Sequence, residues 1–251
     1  MIDEKSETAE DLRQVMNGLL STLSHDLRTP LSAITGWLYL LESDKLDAAA
    51  KKRALEKIRT NVQDQVQLID DILLLSRSKT GHLQLEPAQI SSLAPLQAAI
   101  ENMRAAATAA EVSLPPPKIA QESKIMADSE RLRRAFEIVL LHALKTTPSG
   151  GTVESVIGVR DGGVEVTITD NGKGLDPVDL TYLFDPFRKK ESSTGSAYAG
   201  AERNLMLART LVEIQGGQLQ ATSRGPGLGT AFTLRMPALD TQMPSAKAAI
   251  K

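Results

Sequence analysis

Cysteine is absent from the 251-residue sequence, so disulfide frameworks, thiolate metal sites and cysteine nucleophiles are excluded. Aromatic residues make up only 3% of the chain, and aliphatic side chains must therefore build the core. Neither sign of charge is in excess, since 29 Lys and Arg face 31 Asp and Glu. The resulting net charge of -2 argues against a dedicated nucleic-acid-binding protein.

Long hydrophobic runs are also missing. The longest uninterrupted apolar segments, such as Ile72–Leu75, fall far short of the ~20 residues needed to cross a bilayer. The sequence begins with a polar stretch rather than a signal peptide, so we expect a cytoplasmic protein with no membrane span in this chain. The composition, 41% apolar and 24% charged, is typical of one or two globular domains.

The N-terminal part of the chain carries apolar side chains at the spacing of amphipathic helices. One series predicts a long helix over Glu7–Leu41, and a polar break at Glu42–Asp47 precedes a second series over Leu55–Ser76, which ends near Gly81. Two long helices with a short connection form an antiparallel hairpin, which cannot bury its apolar stripe alone. We therefore expect self-association into a four-helix bundle, with a plain dimerisation coiled coil as the alternative.

The chain after His82 mixes helices and strands. We expect a strand and an alanine-rich helix first, and the three prolines at Pro115–Pro117 mark a loop. The predicted elements from there are a helix over Ser129–Thr146, strands over Thr152–Arg160 and Val164–Thr169, a loop over Lys189–Ala201, a helix to Gln215, and strands over Gln218–Ser223 and Thr230–Met236. The residues from Ala238 onward are predicted to form a frayed tail.

A proline lies inside the first predicted helix, in the segment Ser24–Leu31. Pro30 removes one backbone hydrogen bond and is expected to bend the helix. The apolar stripe passes beside His25 and Asp26, which therefore project toward solvent. An exposed imidazole beside a carboxylate can act as a nucleophile, because the carboxylate takes or orients the second ring proton. For this pair taken alone, an ordinary surface histidine near an acid is the alternative.

A glycine-rich turn, Asp170–Gly174, follows the predicted strand Val164–Thr169. A carboxylate at the end of a strand can accept a hydrogen bond from an exocyclic amine. Gly172 and Gly174 have no side chains and permit close approach of the backbone to a ligand. A purely structural turn is the alternative for this motif by itself.

The segment His25–Leu31 resembles the H-box of two-component sensor histidine kinases. Downstream, Asp170–Leu175 is similar to the G1 box of that family and Leu183–Phe187 to its F-box, in the same order and over nearly the whole chain. The resemblance implies a multidomain fold of α and α+β class. An antiparallel helical hairpin that dimerises into a four-helix bundle is followed by an α/β-sandwich ATP-binding domain of the histidine kinase/topoisomerase type.

The resemblance also implies a function and a domain division. The γ-phosphoryl group of ATP is transferred to His25, with Asp26 as the base, and then to a receiver-domain aspartate of a response regulator. Thr29 follows His25 by one helical turn and is a candidate for orienting an attacking water in a phosphatase reaction. The expected domains are a dimerisation and phosphotransfer hairpin at residues 1–81, an ATP-binding domain at residues 82–238 and a flexible tail at residues 239–251.

The nucleotide contacts follow from the same resemblance. Asp170 is implied to bind the adenine amino group, with Gly172 and Gly174 against the nucleotide. Phe184 and Phe187 anchor the lid, a role that also fits plain hydrophobic anchors of a loop. The residues implied at the phosphates are Lys145, Gly200 and Arg203.

The sequence departs from the family at the phosphate and metal end. The N-box normally has two asparagines, and here their positions hold Ile138 and His142. The second asparagine normally helps to hold Mg²⁺ through an oxygen, whereas His142 offers nitrogen, which suits this ion poorly. Glu137 is a conceivable but misaligned substitute ligand. His142 thus stands as a doubtful metal ligand in a site for ATP and Mg²⁺.

The G2 box of the lid is altered as well, because two of its three glycines are replaced after Gly200. Glu202 adds a negative charge where phosphates are expected, and Arg203 offsets it. Two functions therefore follow as hypotheses. The first is an active histidine kinase core. The second is a degenerate kinase that acts as a dimeric phosphotransfer or phosphatase scaffold for a response regulator.

Overall fold

The computed structural model of the protein describes residues 27–43, 46–79, 83–184 and 197–239. The described residues up to 79 belong to one compact unit, and residues 83–184 with 201–239 belong to another. Of the sequence predictions, the helix before residue 27, the side chains of His25, Asp26 and Phe187, and the tail from residue 240 lie outside the described residues.

The described part of the first unit consists of two helices, α1 (residues 27–42) and α2 (Ala48–Lys79). The predicted break between them is confirmed, and Asp47 caps α2 by accepting a hydrogen bond from the Ala50 amide at 2.6 Å. The second helix starts earlier than its first apolar positions predict, because alanine-rich turns are intrinsically helical. The side chain of Gln65 donates to the Leu27 carbonyl at 3.3 Å, so α2 lies alongside α1 as in a hairpin.

The second unit is built on a mixed sheet of five strands in the order β2-β4-β5-β7-β6. Strand β2 is parallel to β4, and the other neighbours are antiparallel. A separate antiparallel pair joins β1 to β3. The strands are β1 (Ala88–Ser91), β2 (Lys118–Ile119), β3 (Lys124–Ala127), β4 (Val153–Arg160), β5 (Gly163–Asp170), β6 (Gln218–Ser223) and β7 (Thr230–Pro237).

Four further helices follow α2 along the chain. They are α3 (Ala94–Ala109), α4 (Ser129–Thr146), α5 (Pro177–Tyr182) and α6 (Ala197–Glu213). Helix α4 packs on β4 and β5, and α3 packs on α4. Alternate residues of β5 are buried beneath them, as period-two alternation requires. The core between the layers includes Phe136, Val166 and Phe232, each 1% exposed.

The predicted fold class is confirmed, and α4 runs over the predicted residues Ser129–Thr146. The predicted loop is wrong at its C-terminal end, because α6 begins at Ala197. The Leu239 amide, at the predicted start of the tail, donates to the Lys124 carbonyl at 2.9 Å. In the described part of the chain no helix is both long and apolar enough to cross a membrane.

Candidate functional site

Asp170 ends β5 and points its carboxylate into the interior, where the residue is 3% exposed. Its Oδ1 accepts hydrogen bonds from the Gly172 amide at 2.8 Å and the Thr230 amide at 3.3 Å. Its Oδ2 is buried and has no hydrogen-bond partner in the described chain. Burial raises the pKa of this carboxyl, and the backbone hydrogen bonds oppose that shift. The free oxygen is an acceptor suited to an amine donor of a ligand.

The glycines of the turn after β5 face the protein's own backbone. A Cβ at Gly172 would overlap the Thr146 carbonyl at the end of α4, and a Cβ at Gly174 would overlap the Gly225 carbonyl. Gly229, with φ +74, leaves room for the carbonyl of Asp170. The space next to these Cα atoms is therefore filled by neighbouring backbone, and the glycines permit three loops to meet.

The turn of the β-hairpin formed by β6 and β7 stabilises the turn after β5 through hydrogen bonds. The Gly227 amide donates to the Lys173 carbonyl at 2.5 Å, and the Gly229 amide donates to the Gly172 carbonyl at 3.2 Å. The Ser223 hydroxyl accepts from the Leu175 amide at 3.0 Å and donates to the Gly229 carbonyl at 2.7 Å. The sequence places Ser223 and Thr230 at the ends of predicted strands but does not indicate their part in the site, although the glycine-rich stretch between them indicates a tight hairpin.

His142 lies on the buried side of α4 at 6% exposure. Its ring meets Phe232 edge to face, with centroids 5.5 Å apart, and Phe232 pairs with Ile168 two residues before Asp170. Neither ring nitrogen has a hydrogen-bond partner among the residues that the structure describes. Burial, assisted by the positive charge of Lys145, lowers the pKa of His142 from 6.5 to about 4, so the imidazole is neutral at pH 7.

We expect the protein to lose stability as the pH falls from 6.5 toward 4, because the pKa of His142 is lower in the folded state than in the unfolded state. The unfolded state then binds the proton first, and stabilisation that is complete above pH 6.5 is lost on acidification. Between pH 7.5 and pH 5 this linkage amounts to about 2 kcal/mol. Urea unfolding of the wild type and His142→Leu at both pH values measures it.

The non-titrating variant should lose this part of the pH dependence. The raised pKa of Asp170 acts with the opposite sign, since it reduces stability as the pH rises above 3.8, but Asp170 is present in both proteins and its effect cancels in the difference. Equal pH dependence in the two proteins would show that His142 is protonated in the folded state at pH 5.

Glu137 is held by its neighbours and does not offer a free oxygen to a metal. Its Oε1 accepts hydrogen bonds from the side-chain amide of Asn102 at 2.7 Å and from Arg133. Its Oε2 lies 3.7 Å from the guanidinium of Arg134. Among residues 27–43, 46–79, 83–184 and 197–239, no three His, Asp or Glu side chains come together as a metal site. Glu137, the conceivable but misaligned substitute ligand, is thus engaged in an ion-pair cluster.

The remaining nucleotide-site candidates are distributed over α4, α6 and the segment after α5. Lys145 is exposed near the end of α4, and Gly200 and Arg203 belong to α6. Phe184 is partly buried beyond α5, and the Arg209 guanidinium of α6 lies 5.3 Å from its ring centroid. This cation–π contact ties the F-box segment to α6.

The phospho-acceptor candidates precede the described helix α1. Thr29 is exposed on α1, and Pro30 is part of the same helix. Seven large apolar side chains on α1 and α2 are between 44% and 58% exposed in the single chain. They are Leu31, Leu38, Leu55, Val62, Val66, Ile69 and Leu73. We call this set the apolar face of the hairpin.

Two families match the chain in succession. Residues 15–81 match the His Kinase A (phospho-acceptor) domain, and residues 127–240 match the histidine kinase-, DNA gyrase B- and HSP90-like ATPases. The match to the first family includes His25, and the match to the second includes Asp170. The expected resemblance is confirmed by both.

Relatives and solved structures agree with these matches. Histidine protein kinase DivJ of Caulobacter vibrioides is 29% identical over 247 residues, which cover 98% of this chain and 41% of DivJ. Full-length ShkA in complex with AMPPNP is 25% identical with a TM-score of 0.63, over 88% of this chain and 45% of ShkA. Histidine kinase ThkA in complex with the response regulator TrrA shares the fold, with a TM-score of 0.64 at 14% identity over 94% of this chain and 65% of that one.

Proposed function

Since the chain belongs to the two-component sensor histidine kinases, we propose that it transfers the γ-phosphoryl group of ATP to His25 and then to an aspartate of a response regulator. An imidazole nitrogen of His25 attacks the γ-phosphorus, the bond from phosphorus to the bridging oxygen breaks, and ADP leaves with that electron pair. Asp26 takes the proton that the imidazole loses. The unpartnered Oδ2 of Asp170, inside the matched ATPase domain, is the observation that carries this function.

The nucleotide is bound at the end of β5. Oδ2 of Asp170 accepts the hydrogen bond of the adenine amine, since Oδ1 is already satisfied by two backbone amides. We assign to Lys145 and Arg203 the neutralisation of phosphate charge, and to Gly200 the close approach of the backbone to the phosphates. Phe184 anchors the segment that leads to the lid, and Phe187 is assigned the same role.

The described residues do not fit a Mg²⁺ ion. His142 presents only nitrogen, which this hard ion accepts poorly, and its ring is packed against Phe232. Glu137 is engaged by Arg133, Arg134 and Asn102. We therefore assign no step of the transfer to a metal ion.

The partner that covers the apolar face of the hairpin is a second copy of the chain. The apolar side chains of this face recur at spacings of three, four and seven residues, which match the seam of a four-helix bundle. Residues 1–81 form the dimerisation and phosphotransfer domain in this proposal, and residues 82–238 form the ATP-binding domain. The reaction takes place in the cytoplasm, where ATP is available.

We expect a dimer in solution and a monomer when the apolar face is made charged. Val66→Lys with Ile69→Lys places two cations in the seam, and multi-angle light scattering at micromolar concentration should then report half the mass. Thr60→Lys is the matched control, because Thr60 lies half a turn around α2 from Ile69 and is exposed. A wild-type monomer, or an unaltered mass in the double variant, would contradict the bundle.

The response regulator docks on the bundle next to His25. The adjacent turns of α1 present exposed side chains, including Ser32, Thr35 and Tyr39, of which Tyr39 is 73% exposed. Thr29, also exposed, is proposed to orient the water that hydrolyses a phosphorylated receiver.

A degenerate kinase is the second candidate function. It is favoured by the altered phosphate end, where a buried, neutral His142 replaces an amide and Glu137 is locked in ion pairs. In that case the hairpin still exchanges phosphoryl groups between His25 and a receiver, and the second unit serves as a scaffold.

Labelling separates the two candidates. We expect the wild type to take acid-labile label from γ-labelled ATP and to pass it to a receiver aspartate. The reaction is run with Mg²⁺, with Mn²⁺ and with EDTA, since an imidazole nitrogen suits Mn²⁺ better than Mg²⁺. No label from ATP in any condition, combined with uptake from a phosphorylated receiver, would establish the degenerate kinase instead.

A further inference from the structure

Gln65 of α2 reaches across the hairpin to the backbone of α1. Its Nε2 donates to the Leu27 carbonyl at 3.3 Å, over a sequence separation of 38 residues, and the contact is partly buried. Leu27 follows His25 by two residues in the chain. A side chain on the second helix thus holds the backbone directly beside the proposed phospho-acceptor.

The backbone at this point lacks part of its normal support. Pro30 has no N–H, so it cannot donate the helical hydrogen bond to the carbonyl four residues earlier, and its ring crowds the preceding turn. A carbonyl oxygen has two acceptor sites, and Leu27 can therefore accept from Gln65 without losing a helical bond. The carbonyl that Pro30 leaves without its helical donor belongs to Asp26, and the Gln65 amide holds the next carbonyl along the chain, that of Leu27.

Stability alone does not account for a glutamine at this position. Its Oε1 is buried and has no hydrogen-bond partner in the described chain, which is unfavourable relative to an apolar side chain of the same length. Nearby positions of α2 carry apolar residues, including Val62, Val66 and Ile69. The useful part of Gln65 is therefore its N–H donor.

We infer that Gln65 is a positioning residue for the phosphoryl transfer at His25, which it serves by fixing the Leu27 carbonyl beside Pro30. This inference rests on the proposed function of His25. In this role Gln65 contacts neither the phosphoryl group nor the nucleotide. It restricts the orientation of the chain that carries the imidazole, and loss of such orientation lowers the rate of a transfer without altering binding of the donor.

The test compares two variants of the full-length chain that lack the donor. Gln65→Glu keeps the shape of the side chain, and Gln65→Met also removes the buried orphan oxygen. In both, the labelling rate of His25 at saturating ATP should fall about 10-fold with an unchanged KM for ATP. Gln65→Met should melt at the same temperature as the wild type or higher, so slower labelling would not reflect a weaker fold.

Asn61→Asp is the matched control, one turn earlier on α2. It undergoes the same amide-to-carboxylate change, but the Asn61 side chain donates only within its own helix, to the Lys57 carbonyl at 2.8 Å. Its labelling rate should equal that of the wild type. Equal rates for the wild type and Gln65→Met, or an equal loss in Asn61→Asp and Gln65→Glu, would overturn the inference.

A phosphorylated receiver serves as a second donor, because it delivers the group to His25 without nucleotide. If the wild type takes label from the receiver but not from ATP, the kinase function fails, and the rates with the receiver decide the role of Gln65 by the same criteria. If the wild type takes no label from either donor, both the proposed function and the inference fail.

Discussion

Asp170→Asn should lose nucleotide binding while it keeps the fold. The asparagine oxygen can still accept from the amides of Gly172 and Thr230, which are the contacts that hold the turn. Its NH₂ group then replaces Oδ2 and meets the adenine amine donor to donor. The variant loses the hydrogen bond from the adenine amine to the carboxylate and buries two N–H donors against each other. Nucleotide binding should therefore weaken by about 100-fold.

Titration of a fluorescent ATP analogue, with thermal unfolding alongside, measures both effects. Asp161→Asn is the matched control: Asp161 lies in the exposed turn between β4 and β5 at φ 47, a conformation that asparagine adopts readily. It should bind nucleotide as the wild type does. An unchanged affinity for nucleotide in Asp170→Asn would show that Oδ2 does not accept a hydrogen bond from the adenine amine.

The helices and central strands could be predicted from local pattern alone. Apolar spacing defined α2 and α4, and period-two alternation defined β4 and β5, because each is long enough to show its period several times. Strand β2 has two residues and β3 has four, too short for any period to be visible. Strand β2 pairs with β4 and β3 pairs with β1 through tertiary contacts, which cannot be predicted from the local sequence.

The candidate site, too, could be predicted only in part from the local sequence. The position of Asp170 at a strand end follows from sequence, but the unequal roles of its two oxygens depend on Thr230, 60 residues away. The glycines beside it were predicted to admit a nucleotide, whereas their close neighbours in the structure are carbonyls of the protein itself. The neutral state of His142 depends mainly on its burial on the inner side of α4, which residue types do not reveal.

Phosphate carried by the protein should disappear in His25→Ala, whichever donor supplies it. A phosphoryl group on an imidazole nitrogen is acid-labile, so loss of label in acid and its stability in base identify the linkage. His142 does not compete, because both of its nitrogens are buried in the second unit, and His142→Ala should keep its label from a phosphorylated receiver.

The measurement is receiver-to-protein transfer of label, followed by peptide mapping of the labelled site. Transfer from the receiver bypasses the nucleotide, so the result does not depend on how well the altered phosphate end binds ATP. His25→Ala should fall to background with its dimer mass unchanged, since the sequence pattern predicts position 25 off the apolar stripe. Acid-labile label that survives in His25→Ala would place the phospho-acceptor elsewhere in the chain and would contradict the H-box assignment on which the transfer reaction depends.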